Sequence, residues 1–136
     1  MDNSVNEKHL EFIQNVITRM AGNSFLIKGW SITITSALFA LAANNVDVGF
    51  IIVALFPVIS FWALDAYFLR QERLFRKLYA GVRKSNEIEP FSMETGDFDD
   101  QVESWLEVAK SPTLKIFHGT ILMVIVIVMF GLLIFK

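Results

Sequence analysis

The sequence contains no cysteine, which excludes disulfides and thiolate chemistry and leaves the redox compartment unread. Charged residues make up only 19% of its 136 residues, against 54% hydrophobic, and the apolar residues gather in blocks instead of recurring at core spacing. A soluble domain is not built this way; a membrane protein is. Zinc-ligand patterns, glycine-rich phosphate loops and nucleophile elbows are also missing. The two histidines, His9 and His118, fall on different predicted elements, and no pair of carboxylates is set for acid/base work. Asp97, Asp99 and Asp100 lack the glycine and terminal glutamate of a calcium loop. No enzyme, catalytic residue, metal site or cofactor is therefore expected.

Three apolar blocks are present instead. Ile116 to Phe135, "IFHGTILMVIVIVMFGLLIF", matches the roughly 20 residues that a bilayer core requires, and "SPT" before it offers Ser111 as a cap and Pro112 as first helical residue. A second block runs from about Val48 to Leu69 despite Pro57 and Asp65; neighbouring helices tolerate such a proline. The third, Trp30 to Ala43, is short and rich in Ser and Thr, with Phe25 to Ile27 available to extend it. "ALA" at residues 40–42 resembles a signal-peptide cleavage site, but the preceding stretch is far too long for an ordinary leader. The expected organisation is an all-α membrane protein, homo-oligomeric, with three transmembrane helices per subunit and amphipathic cytoplasmic helices. Its parts are 1–29 (amphipathic helix and interfacial turn), 30–69 (spans one and two), 70–115 (basic helix and acidic loop) and 116–136 (span three).

Lysine and arginine counts orient the chain. Residues 44–49 carry neither, whereas Lys8, Arg19 and Lys28 precede the first span and eight more cations lie between Arg70 and Lys115. Positive charge stays in the cytoplasm. The amino terminus is thus expected on the cytoplasmic side and the carboxy terminus, with Lys136, outside.

Sign is segregated as well as depth. On a helical wheel Arg70, Arg73, Arg76, Lys77, Arg83 and Lys84 share an arc of roughly 140°, opposite Leu74, Phe75, Leu78, Tyr79 and Val82. Phe68, Glu72, Phe75, Tyr79 and Val82 alternate by four and three, as in helices that pack on copies of themselves. The amino-terminal stretch repeats the design, with Leu10, Ile13, Val16, Ile17 and Met20 opposite Lys8, Asn15 and Arg19, and Gly22, Asn23 and Ser24 then break or turn the helix. These cations either hold topology and touch anionic lipid or bind a phosphate-bearing ligand; Lys8, Arg19, Arg70, Arg73, Arg76, Lys77, Arg83 and Lys84 are the candidates. Residues 86–107 carry eight acidic groups and no basic ones, read as a solvated loop, or a cover for the basic helix, leading into a short helix around 102–110.

Lys28, Asp65 and His118 are expected near the inner membrane face, where ionisable groups are costly and face protein or water. They form either an intrasubunit pair or, with Ser31 and Thr35 of the first span, the mouth or gate of a pore. Ser31, Thr33, Thr35 and Ser36 suit that span to helix contact, with Ser36 and Ala40 as a contact pair. The last span is aliphatic beyond Thr120 and faces lipid. Three helices enclose too little space for an aqueous path, so a channel requires several copies.

"HLEFIQNVITRMAGNSFLIKGWSITITSALFALAA" followed by "FWALDAYFLRQERLFRKLY" resembles the Hailong-type membrane effectors, small bacterial proteins encoded in anti-phage operons. The resemblance covers about the first eighty residues, is carried by Gly29, Trp30 and the run from Asp65 to Tyr79, and involves no catalytic motif. It implies an oligomeric ion channel, a tetramer, gated by a short single-stranded DNA oligomer that a partner nucleotidyltransferase makes. Bound oligomer would hold the channel shut; its loss during infection would depolarise the cell and abort phage replication. A holin or lesion-forming toxin without ligand, and a non-conducting membrane scaffold, remain open alternatives.

Overall fold

The computed structural model describes residues 3–45 and 47–135; Lys136, the cation expected outside, lies beyond the described residues. Four α-helices follow in order, α1 (Asn3–Asn45), α2 (Val48–Lys84), α3 (Trp105–Ala109) and α4 (Pro112–Ile134), with a 3-10 helix over Gly96–Gln101. Helices α1, α2 and α4 are long and apolar enough to cross a membrane. At 1.5 Å per residue α1 and α2 measure about 65 and about 55 Å, roughly twice a hydrocarbon core of about 30 Å. Both must therefore project well beyond the bilayer.

The two long helices form an antiparallel hairpin. Asp47 begins α2 by accepting the Gly49 N–H at 2.8 Å. Near that turn Ala42 packs with Ile51, Ala54, Val58 and Ile125; at the far end Ile13 and Ile17 pack with Leu78 and Val82. The apolar side of the basic helix, expected to meet the same helix of another copy, is thus covered by α1 of its own chain. Helix α4 lies along α2 through Leu114, His118 and Ile125, and exposes Ile116, Met123, Ile127, Phe130, Leu133 and Ile134 on its outer side.

One expected break is absent. Helix α1 passes through Gly22, Asn23 and Ser24 without interruption. A glycine inside a helix costs about 1 kcal/mol of propensity, less than the packing on α2 supplies, and Ser24 is buried against that helix. Ser111 and Pro112 do open α4, but the Ser111 hydroxyl makes no cap bond and is buried without a partner among the described residues. Its carbonyl instead accepts the Lys115 N–H at 2.9 Å.

The acidic stretch is not a free loop. Ile88 and Phe98 pack onto the Ile13, Ile17, Leu78 and Val82 cluster. They approach α2 at Gly81, where a Cβ would stand 2.9 Å from Ile88 Cδ1 and 3.1 Å from Phe98 Cζ. Phe91 sits at φ 62°, a left-handed conformation that costs a non-glycine residue about 1–2 kcal/mol. Its ring is held by Phe12 and His9, with centroids 5.7 and 5.9 Å away, and His9 Nε2 donates to the Ser92 carbonyl at 2.7 Å. A capping box between Ser104 and Glu107 then starts α3.

Leu78 is 1% exposed, and truncating such a residue costs about 2–5 kcal/mol. Leu78→Ala should lower the stability of the detergent-solubilised protein by that amount in thermal or denaturant unfolding. A change below about 1 kcal/mol would show that the projecting ends of α1 and α2 are not held by this cluster.

Candidate functional site: a buried polar knot beneath a basic face

Asp65, on α2, has no exposed surface, and two other helices answer its charge. From α1, Ser24 Oγ donates to Oδ1, while Lys28 Nζ donates to Oδ2 at 2.5 Å and to Ser24 Oγ at 2.8 Å. From α4, His118 Nε2 reaches Oδ2 at 2.7 Å. A carboxylate only accepts, so His118 Nε2 carries a proton. His118 Nδ1 is buried without a partner among the described residues.

Aromatic rings wall the knot. Trp62, one turn before Asp65, stacks on His118 with centroids 5.8 Å apart and planes 15° from parallel. Phe117 lies edge-on to the imidazole, and Lys28 Nζ sits 5.8 Å from the Phe117 centroid, within cation–π range. Trp62 Nε1 donates to the Ala109 carbonyl at 2.8 Å and Trp105 Nε1 to the Ala63 carbonyl at 3.1 Å. Two indoles therefore fasten α3 to α2 at the depth of the knot.

The residues expected as a gate divide into two sets. Lys28, Asp65 and His118 meet directly, within one chain. Ser31 and Thr35 continue the Ser24–Lys28 side of α1, are 1% and 6% exposed, and have hydroxyls without partners among the described residues. They are not bonded to the knot. Ser24 was hidden by its neighbours, since Gly22-Asn23-Ser24 reads as a helix breaker; its position four residues before Lys28 was the available signal.

The basic face begins little more than a turn beyond Asp65. Arg70 binds Asp99 Oδ1 through Nη2 and the Glu103 carbonyl through Nε, both at 2.9 Å. Arg73 pairs with Glu103 at 3.3 Å and Arg76 with Glu72 at 2.7 Å. The Glu103 carboxyl is held below its ordinary range, first by its own backbone N–H and then by Arg73. A carboxyl so lowered contributes to the fold above its unfolded pKa and loses that contribution as pH falls through the lower, folded value. The latch to Arg73 thus survives neutral and mildly acidic pH.

Arg73, Arg76 and Lys77 line an open cleft of about 610 Å³, closed on its other side by Asp100, Gln101, Val102, Glu103 and Glu107. Lys77 has no ion pair among the described residues. The other expected phosphate ligands are not in the cleft lining. Arg83 and Lys84 are exposed in the last turn of α2, Lys8 pairs with Glu11 on α1 at 3.3 Å, and Arg19 is exposed on α1.

No protein-family model, curated protein or solved structure matches this chain. Fold and site define its class, an all-helical protein with three helices fit to span a membrane.

Removing one member of a buried ion pair costs about 3–5 kcal/mol, because the other charge is stranded. Asp65→Asn should destabilise the solubilised protein by about that much, and Lys28→Met/Asp65→Leu should recover most of the loss in the same unfolding assay. Equal stability of the single and double variants would show that the pair is not what holds α1 to α2 at this depth.

Proposed function

We propose that the chain is the subunit of an oligomeric ion channel, a tetramer, serving as the membrane effector of a bacterial anti-phage system. A nucleotide or short single-stranded DNA oligomer, made by a partner nucleotidyltransferase, controls it from the cytoplasmic side of the inner membrane. The observation that carries this reading is the continuity of α2. One helix bears Asp65 in the knot and Arg70, Arg73, Arg76 and Lys77 over the following turns, so Arg73 stands about 12 Å along the same rod.

A ligand moves a gate only by binding one state better than the other. Phosphates drawn onto Arg73, Arg76 and Lys77 change the load on a helix whose other half is locked to α1 and α4. The sequence resemblance adds the sign, with bound oligomer holding the closed state. Packing weighs against recruitment of a protein by α2, because the apolar side of its basic half is covered within the chain and charge is the recognition chemistry left there. A lesion former without ligand has no use for such a cleft.

The test is binding of short single-stranded DNA to protein purified in neutral detergent, at two salt concentrations, beside Arg73→Glu/Lys77→Glu. Affinity should fall steeply with salt, as counterion release requires, and be lost in the variant, while membrane insertion is retained. Unchanged affinity in the variant would remove the cleft from ligand binding, and a salt-independent signal would remove phosphate from the recognition.

A further inference from the structure

The acidic stretch and the basic face meet in a specific way. Residues 86–107 carry eight acidic groups and no basic one, yet only Asp99 and Glu103 reach across to α2, each to a different arginine. The exposures are lopsided. The arginine side chains are 17% and 33% exposed, whereas the carboxylates facing them are 68% and 58% exposed. The cations lie against the protein and the anions arrive from the solvent side, as a ligand would.

Arg70 and Arg73 are three residues apart on one helix, so their side chains leave α2 about 5–6 Å apart. That is the order of spacing between successive phosphates in an extended strand. Each carboxylate is met by a single guanidinium nitrogen, short of the bidentate contact that a phosphate takes from arginine; Arg70 also gives its Nε and Nη2 to the Glu103 and Asp99 carbonyls. Exposed single-nitrogen pairs are weak and salt-sensitive.

The stretch is held unevenly along its length. Its first half is anchored by Ile88 and Phe98 over Gly81 and by the His9 bond to the Ser92 carbonyl. Its end is fastened by the two tryptophans at α3. Between those anchors, residues 99–103 reach α2 through polar groups on Arg70 and Arg73, with Val102 tucked beneath. The weak part of the strap is the part over the cations.

We propose that residues 99–103 are a releasable strap, in which the Asp99 and Glu103 carboxylates hold the places of two neighbouring phosphates on Arg70 and Arg73. The ligand is accordingly a chain with at least two adjacent phosphates, and it binds by displacing the strap. This rests on the reading of the basic face as a phosphate site. Because strap and ligand exclude each other, the strap sets the concentration at which the ligand acts and refills the site when the ligand is removed.

The experiment compares three full-length proteins in neutral detergent at low salt, with labelled short single-stranded DNA as probe. These are the wild type, Asp99→Asn/Glu103→Gln, and Glu94→Gln/Asp97→Asn, which removes the same charge from exposed positions that make no ion pair among the described residues. Loss of the strap pairs should tighten binding about tenfold, with the control pair within about twofold of wild type. Equal tightening in both variants would reduce the effect to net charge and overturn the strap, as would no tightening in either. Binding by none of the three would remove the phosphate-site reading itself, and the strap with it. Hydrogen exchange on the wild type gives a second readout independent of mutation. Saturating DNA should speed exchange across residues 96–104, and slower exchange there would mean that strap and ligand bind together.

Discussion

A carboxylate with no access to water, in a helix that crosses lipid, is the constraint from which the rest of this molecule follows. Asp65 can be ionised there only if charge and hydrogen bonds are brought to it. Ser24 and Lys28 bring them from α1 and His118 from α4. That requirement sets the antiparallel register of the hairpin. With Ser24 and Lys28 opposite Asp65, Ile13 and Ile17 fall opposite Leu78 and Val82 at one end, and Ala42 opposite Ile51 and Ala54 at the other. It also sets the depth of α4, since no other position of that helix could present His118 to Oδ2. Trp62 extends the same arrangement to α3 through the Ala109 carbonyl.

Seen from Asp65, α2 has two halves with opposite demands. Toward Val48 it is apolar; toward Lys84 it carries all six of the helix's cations. Because no break separates the halves, Arg70 and Arg73 stand on the same continuous helix as the knot. The cations are already engaged within the chain. Arg70, Arg73 and Arg76 each have a carboxylate partner, and Lys77 alone of the cleft cations has no ion pair among the described residues. The molecule therefore holds its basic face in a compensated state, one suited to exchange of one anion for another.

Much of this was legible in the sequence, for identifiable reasons. Long apolar runs declare themselves locally, so the spans and the uninterrupted passage from span to basic helix could be read without a fold. Ionisable residues in apolar runs are rare, and the depths of Lys28, Asp65 and His118 followed from their places in those runs. Ser24 did not, because a serine after glycine and asparagine looks like a turn until its partner across the hairpin is known. The strap was open to two readings for a related cause. Asp99 and Arg70 are 29 residues apart, with no periodicity linking them, so a solvated acidic loop and a folded cover have the same sequence. The covering of Leu78 and Val82 by α1 was equally hidden, since an apolar stripe states that it must pack but not on what.

The most direct measurement is ion conductance of the purified protein in planar bilayers, with short single-stranded DNA added to one compartment at a time. A current that DNA suppresses from one side only is the expected result, because the proposed topology puts the basic face on a single side of the membrane. Absence of any current, or a current indifferent to DNA on either side, would contradict a ligand-gated channel and leave the knot and the basic face as devices for folding and anchoring alone.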